Sequence, residues 1–282
     1  MSAFQNVVIG MDLSEANAKQ LLSRACQLAD PANIEVIHAC ENLHHEHADY
    51  SHGSFKTSEE LDAAVISEAE RFLSGVCLPL GIERHRVLDG RITTALHDYA
   101  EQNADLVVVG SHGRHGLALL FGSKSNTVVH ATTCDVLAVH LSPEDAVAGQ
   151  GGRYQRVLAA VDLSAESSQV IDHARRVADA CGAELKLCHV SKHLLQAGKH
   201  ADWERLAKFA QDYGLADTDI HELDGRTAHA IHSLAKEIEA DLLVAGIHHH
   251  YQRDEFISFS TANAVLHGAE CDALSVHIRS AA

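Results

Sequence analysis

The chain has 282 residues, 46% of them hydrophobic, with 22 Lys and Arg against 39 Asp and Glu for a formal net charge of −17. That length accommodates two ordinary domains or one large one, and the apolar content excludes a disordered chain. The acidity excludes nonspecific nucleic-acid binding, which needs clustered Lys and Arg, and argues against an anionic membrane surface as partner.

Taken in order, Asn6–Gly10 reads as a buried strand. Ser14 is placed to cap a helix whose apolar residues Ala18, Leu21, Leu22, Ala25 and Leu28 recur at helical spacing. A second strand is expected over Ile34–Ala39, and a polar, His-rich stretch then leads to Thr57, which with Glu60 has the pattern of a capping box. The helix that follows puts Leu61, Ala64, Val65, Ala69, Phe72, Leu73 and Val76 on or near one face. A short strand His85–Leu88, a helix Thr93–Gln102 and an apolar strand Leu106–Val109 come next. The strand is expected to end in a glycine loop, Gly110-Ser111-His112-Gly113, with Gly122-Ser123-Lys124-Ser125-Asn126 beyond it. Thr127–Thr133 has helical character, and Val136–His140 closes the series as a strand.

The second half repeats this plan. Asp12-Leu13-Ser14 recurs as Asp162-Leu163-Ser164, Asp89-Gly90-Arg91 as Asp224-Gly225-Arg226, Asp105–Gly110 as Asp241–Gly246, and Cys134–His140 as Cys271–His277. Ser142 to Arg153, with Pro143, Gly149, Gly151 and Gly152, is the natural linker. Two domains are therefore expected, 1–145 and 153–282. Alternating strands and helices predict a doubly wound α/β architecture in each, a parallel sheet covered on both faces with right-handed crossovers. Ligands of such sheets bind at the carboxyl ends of strands where the strand order reverses. Asp12 and the glycine stretch both follow strands and are expected to face one crevice.

Glycines after a strand permit close backbone approach, and small hydroxyl side chains at a helix start add donors, so the stretch predicts a phosphate-bearing ligand. A Walker A loop is excluded, because Gly122 is followed by Ser123-Lys124, and the first βα turn, Gly10–Ser14, lacks the dinucleotide glycines. No G-x-S-x-G elbow supplies a hydrolase nucleophile.

Asp12-x-Ser14 after the first strand, with G-x-x-G and then Gly122-Ser123 before the last helix, resembles the universal stress protein family, and both halves share the likeness. The resemblance implies two tandem five-stranded parallel-sheet domains of the adenine nucleotide α-hydrolase-like type and a stress-response, regulatory role. It also implies ATP or AMP as ligand, with Mg2+ as a candidate companion ion. By the same resemblance, Asp12 and the backbone of Ala39 hold adenine and the nearby ribose, and Gly110, His112 and Gly113 contact ribose and phosphate. Gly122, Ser123, Ser125 and Asn126 wrap the distal phosphates, and Arg114 is a candidate phosphate cation. The family pattern has nine residues between the second and third glycines; here Arg114 to Phe121 make eight.

The second copy departs at this point, with His249 in place of Gly113 and Phe259 in place of Gly122, which argues against triphosphate binding there. One intact site in the first half is the expectation. Three alternatives stay open: a ligand-free interaction scaffold, a His-based metal sensor, and a slow ATPase in which His112 orients water. The sensor would use His44-His45-Glu46-His47, His52 or His248-His249-His250, although neighbouring His side chains on an extended loop point apart. In the resembling proteins the last strands pair two domains, so an internal pseudo-dimer is implied here, with a homodimer of whole chains as an extension. Seven cysteines without a C-x-x-C pair fit buried thiols in a reducing compartment, and neither a signal segment nor a membrane-spanning apolar run is evident. A cytoplasmic location is expected.

Overall fold

The computed structural model describes residues 2–40, 58–112, 133–141, 152–191, 199–248, 261–266 and 268–279. The first half contributes β1 (Val7–Gly10), α1 (Glu15–Leu28), β2 (Ile34–Cys40), α2 (Ser58–Cys77), β3 (Arg84–Asp89), α3 (Ile92–Asn103), β4 (Leu106–His112) and β5 (Asp135–Leu141). The second contributes β6 (Arg156–Ala160), α4 (Ser167–Cys181), β7 (Glu184–Ser191), α5 (Lys199–Asp212), β8 (Ile220–Asp224), α6 (Thr227–Glu237), β9 (Leu242–His248), α7 (Thr261–Leu266) and β10 (Asp272–Ile278).

Among the described residues, ten strands form one sheet in the order β3-β2-β1-β4-β5-β10-β9-β6-β7-β8. The order 3-2-1-4-5 reappears in the second half as 8-7-6-9-10, so the sequence repeat is a topological repeat. Within each half every pairing is parallel; β5 and β10 meet antiparallel, with Leu274 opposite Leu137 and Ala273 opposite Ala138. The last strands of the two halves, each an edge on its own, close each other off.

Alternation along the strands divides the core into two layers. On one face Val7, Ile9, Val36, Leu106, Val108, Leu137, Val157, Val244, Leu274 and Val276 pack beneath α1, α2, α4 and α5. On the other, Val8, Val107, Val109, Val136, Leu158, Leu243 and Ala273 pack beneath α3, α6 and α7. Strands buried on both faces read as unbroken apolar runs, which is why the segments at 6–10 and 106–109 were legible.

Helix α1 is capped by Ser14, whose Oγ accepts from Asn17 N at 3.5 Å, and all five of its expected core residues are buried. Two expectations need correction. In α2, Val65 is exposed, while Ile66 turns inward toward Ala69 and Cys40, because the stripe that meets β2 and β3 runs through 66, 69, 73 and 77. Gly110, Ser111 and His112 are not a loop; they continue β4, each paired with β5. Glycine does not end a strand when a neighbouring strand supplies the ladder. Thr57, the His-rich stretch and nearly all of the helical segment 127–133 lie outside the described residues. None of the seven cysteines, all among the described residues, forms a disulfide.

Candidate functional site

The site is built by a difference in strand length. β1 ends at Gly10, opposite Ile37 of β2, and β2 continues through His38, Ala39 and Cys40. On the other side Ile9 is opposite Val108, and β4 runs on beyond Val109 through Gly110, Ser111 and His112. β1 thus stops three residues short of each neighbour, leaving a notch at the point where strand order reverses. With strands about 4.8 Å apart, the walls of the notch stand roughly 10 Å from each other. The chain leaves through the floor of the notch as Met11-Asp12.

That exit is pinned. Met11 N donates to Ile37 O at 2.9 Å, and His38 Nδ1 donates to Met11 O at 2.8 Å. A carbonyl only accepts, so His38 carries its proton on Nδ1. Because the Ile37 carbonyl faces β1, Ala39, two residues further on, presents its own N–H and C=O on that same side, past the end of β1. Its backbone therefore lines the notch.

Asp12 sits exposed at the mouth and turns back onto α1. Its Oδ1 accepts from Ser14 N at 3.2 Å and its Oδ2 from Asn17 Nδ2 at 2.7 Å. A carboxylate offers about four acceptor sites, so both oxygens keep capacity for a further donor. Asp162 does the same in the second half, accepting from Ser164 N and from Ser167 Oγ, each at 3.0 Å. Helix entry is thus one role of Asp12, independent of what the notch holds.

Gly110 forms part of the opposite wall, but its missing side chain is accounted for within the protein. A β-carbon there would lie 2.5 Å from Leu141 Cδ1. A β-carbon on Gly246, its counterpart, would lie 3.0 Å from Ile278 and 2.9 Å from Val170. Glycine at this position lets a bulky residue of the last strand lie flat against β4 or β9. The backbone of His112 ends β4; its side chain lies outside the described atoms. Gly113, Arg114, Gly122, Ser123, Ser125 and Asn126 fall outside the described residues, as do His249 and Phe259 of the second copy. The notch thus brings together Asp12, Ala39, Gly110 and the backbone of His112.

The second half repeats the notch. β6 ends at Ala160 opposite Cys188 and Ala245, and His189–Ser191 and Gly246–His248 run past it. Val161 N donates to Cys188 O and His189 Nδ1 to Val161 O, both at 2.9 Å. Sequence reading missed His38 and His189 as the residues that pin the chain at the two notches. A signal existed: each stands in the second strand of its repeat, among apolar residues. Among the described residues there is no group of three or more His, Cys, Asp and Glu that could hold a metal ion. Nor is any described helix long and apolar enough to cross a membrane.

Comparison with known proteins gives a consistent picture. The family model described as the universal stress protein family matches residues 3–140 and again 153–277. Universal stress protein A homolog 1 of Coxiella burnetii is 33% identical over 144 residues, covering 48% of this chain and 96% of that protein. Homolog 2 of the same organism is 31% identical over 146 residues, 50% of this chain and 98% of its own. A crystal structure of a universal stress protein from Archaeoglobus fulgidus superimposes with a TM-score of 0.70 at 18% identity, covering 98% of both chains.

Proposed function

The chain belongs to the universal stress protein family, and from that premise we propose that it is a nucleotide-responsive regulatory protein with one adenine-nucleotide site, in its first half. The observation that carries this reading is the notch above β1, which presents the Ala39 backbone on one wall, the end of β4 on the other and Asp12 at the mouth. A planar base fits between walls roughly 10 Å apart, with main-chain donors and acceptors reading its edge. The sequence Gly110–Asn126, which begins on that wall, supplies the glycines and hydroxyls that suit phosphate. ATP or AMP is the proposed ligand, with Mg2+ accompanying the triphosphate. The second half keeps the notch but has His249 and Phe259 where the first has Gly113 and Gly122, so its proposed role is supporting or sensing.

The two halves, 1–145 and 153–282, are proposed as domains joined in an internal pseudo-dimer, a reading supported by the antiparallel pairing of β5 with β10. A stress-response role in the cytoplasm completes the proposal. The test is calorimetric titration with ATP and with AMP. Saturation at about 100 times Kd stabilises the protein by about 2.7 kcal/mol, which a thermal melt detects. Gly122→Phe, which copies the second half, is expected to abolish binding. A wild-type protein that neither binds ATP or AMP nor shifts its melting temperature overturns the reading.

A further inference from the structure

The junction between the halves is held by two carboxylates in equivalent places. Asp272 at the head of β10 and Asp135 at the head of β5 are both buried. Each accepts a backbone N–H from the opposite strand: His140 N to Asp272 Oδ1 at 2.8 Å, and His277 N to Asp135 Oδ1 at 3.0 Å. Each also meets one side chain from a helix of the other half. Arg24 of α1 pairs with Asp272 through Nε at 2.8 Å, and His173 of α4 reaches Asp135 Oδ2 through Nε2 at 3.2 Å. Gln20-Leu21-Leu22-Ser23-Arg24-Ala25 and Gln169-Val170-Ile171-Asp172-His173-Ala174 align, so Arg24 and His173 occupy the same repeat position.

The two contacts differ in their protons. His173 Nδ1 lies 2.7 Å from Gln169 O, a carbonyl that can only accept, so Nδ1 carries a hydrogen. The Nε2···Oδ2 contact then needs a second proton, on the imidazole or on the carboxyl; without it a lone pair faces a carboxylate. Arg24 has no such dependence, since its guanidinium stays charged at every relevant pH.

We propose that Asp135 and His173 form a single-proton latch, so that one arm of the inter-half junction holds or releases with pH while the Arg24–Asp272 arm is permanent. The groups facing the pair are the His277 amide from β10, Arg176 on α4, which favours the ionised carboxylate, and Asp105 ahead of β4, which opposes it. The backbone of Arg279 is held close by through Gln169, whose Oε1 accepts at 3.0 Å and whose Nε2 donates at 2.9 Å. Burial pushes the Asp135 carboxyl up and His173 pulls it down, so the proton belongs to the pair and not to either residue. The sign follows from linkage. An opened junction separates the two groups and dispenses with the shared proton, so with rising pH the closed state comes to hold one proton more than the opened one. The opening constant then rises roughly ten-fold per pH unit until the pair itself loses the proton.

The molecule contains its own control. Backbone hydrogen exchange in the full chain, corrected for intrinsic rates, is followed at His277, bonded to Asp135, and at His140, bonded to Asp272, from pH 6 to 8.5. Protection at His277 is expected to fall with rising pH relative to His140. His173→Arg makes both arms permanent and removes the difference. Asp135→Asn, whose amide donates to Nε2 without titrating, removes it independently should the arginine variant fail to fold. A His277-to-His140 ratio that is constant with pH in the wild type overturns the proposal, as does a pH dependence that survives in both variants.

Discussion

The hydroxyl of Tyr154 donates to Asp272 Oδ2 at 2.7 Å, with the tyrosine wholly buried and the aspartate 3% exposed. Tyr154 enters β6 from the inter-repeat segment, and Asp272 opens the final strand. The Arg24 guanidinium lies 4.5 Å from the centre of the Tyr154 ring while its Nε pairs with Asp272, and it also donates to Gly152 O. Tyr154 N donates to Gln27 Oε1 at 3.1 Å, so one cluster ties α1, the segment ahead of β6, and β10.

Removing the cation from this cluster strands a buried carboxylate. Arg24→Met is expected to cost about 3–5 kcal/mol in denaturant unfolding, and Arg24→Met combined with Asp272→Asn to recover most of it. Burial pushes the Asp272 carboxyl up, opposed chiefly by Arg24. In the Arg24→Met variant the folded state therefore takes up a proton more readily than the unfolded chain. The deficit against wild type should shrink as pH falls toward about 4 and grow as pH rises. A deficit that stays constant from pH 4 to pH 7 would contradict this.

Gly110→Ala separates packing from ligand approach. The added carbon meets Leu141, which is itself buried, so the expected cost is about 1–3 kcal/mol with no nucleotide present. Paired with Leu141→Ala, the substitution should cost less than the sum of the two single changes, a coupling that a double-mutant cycle of unfolding free energies reads directly.

Asp12 and Asn17 offer a second separation. Both Asp12→Ala and Asn17→Ala lose the 2.7 Å contact at the start of α1, at an expected cost of about 0.5–1.5 kcal/mol each. Only Asp12→Ala is expected to weaken ATP binding ten-fold or more, about 1.4 kcal/mol, when measured by calorimetry. Equal affinity in the two variants would confine Asp12 to helix entry.

The thiols should be inert while the protein is folded. Burial pushes Cys188 up to about 12 and Cys77 up to about 11, with Cys26 adding to the latter. The thiolate is the nucleophile, so at pH 8 neither should react with a disulfide reagent in native protein, and both should react once unfolded. The same shift has a stability sign. A folded thiol that resists ionisation favours the fold below the ordinary thiol range, and that contribution fades as pH rises from about 8.5 toward the folded value.

Much of the fold was legible because buried parallel strands write themselves as apolar runs. Val7-Val8-Ile9 and Leu106–Val109 are examples, and Ala18, Leu21, Leu22, Ala25 and Leu28 declared their helix face by spacing alone. The repeat, read from Asp12/Asp162 and Cys134/Cys271, carried the topology with it. Strand ends were less legible. Gly110–His112 looked like a loop because glycine and polar residues follow an apolar run, yet β5 extends beside them and supplies hydrogen bonds that no local pattern announces.

The sequence by itself determined the family and the duplication, since these rest on residue identity and local spacing, and the proposed site residues were read from the same pattern. Tertiary structure alone decided that the Gly110 side of the notch is shaped by Leu141, that His38 and His189 pin the chain leaving β1 and β6, and that two buried carboxylates join the halves. Each of these is a contact between residues 27 or more apart. Distance along the chain carries no record of such meetings; they exist only once the strands have chosen their neighbours.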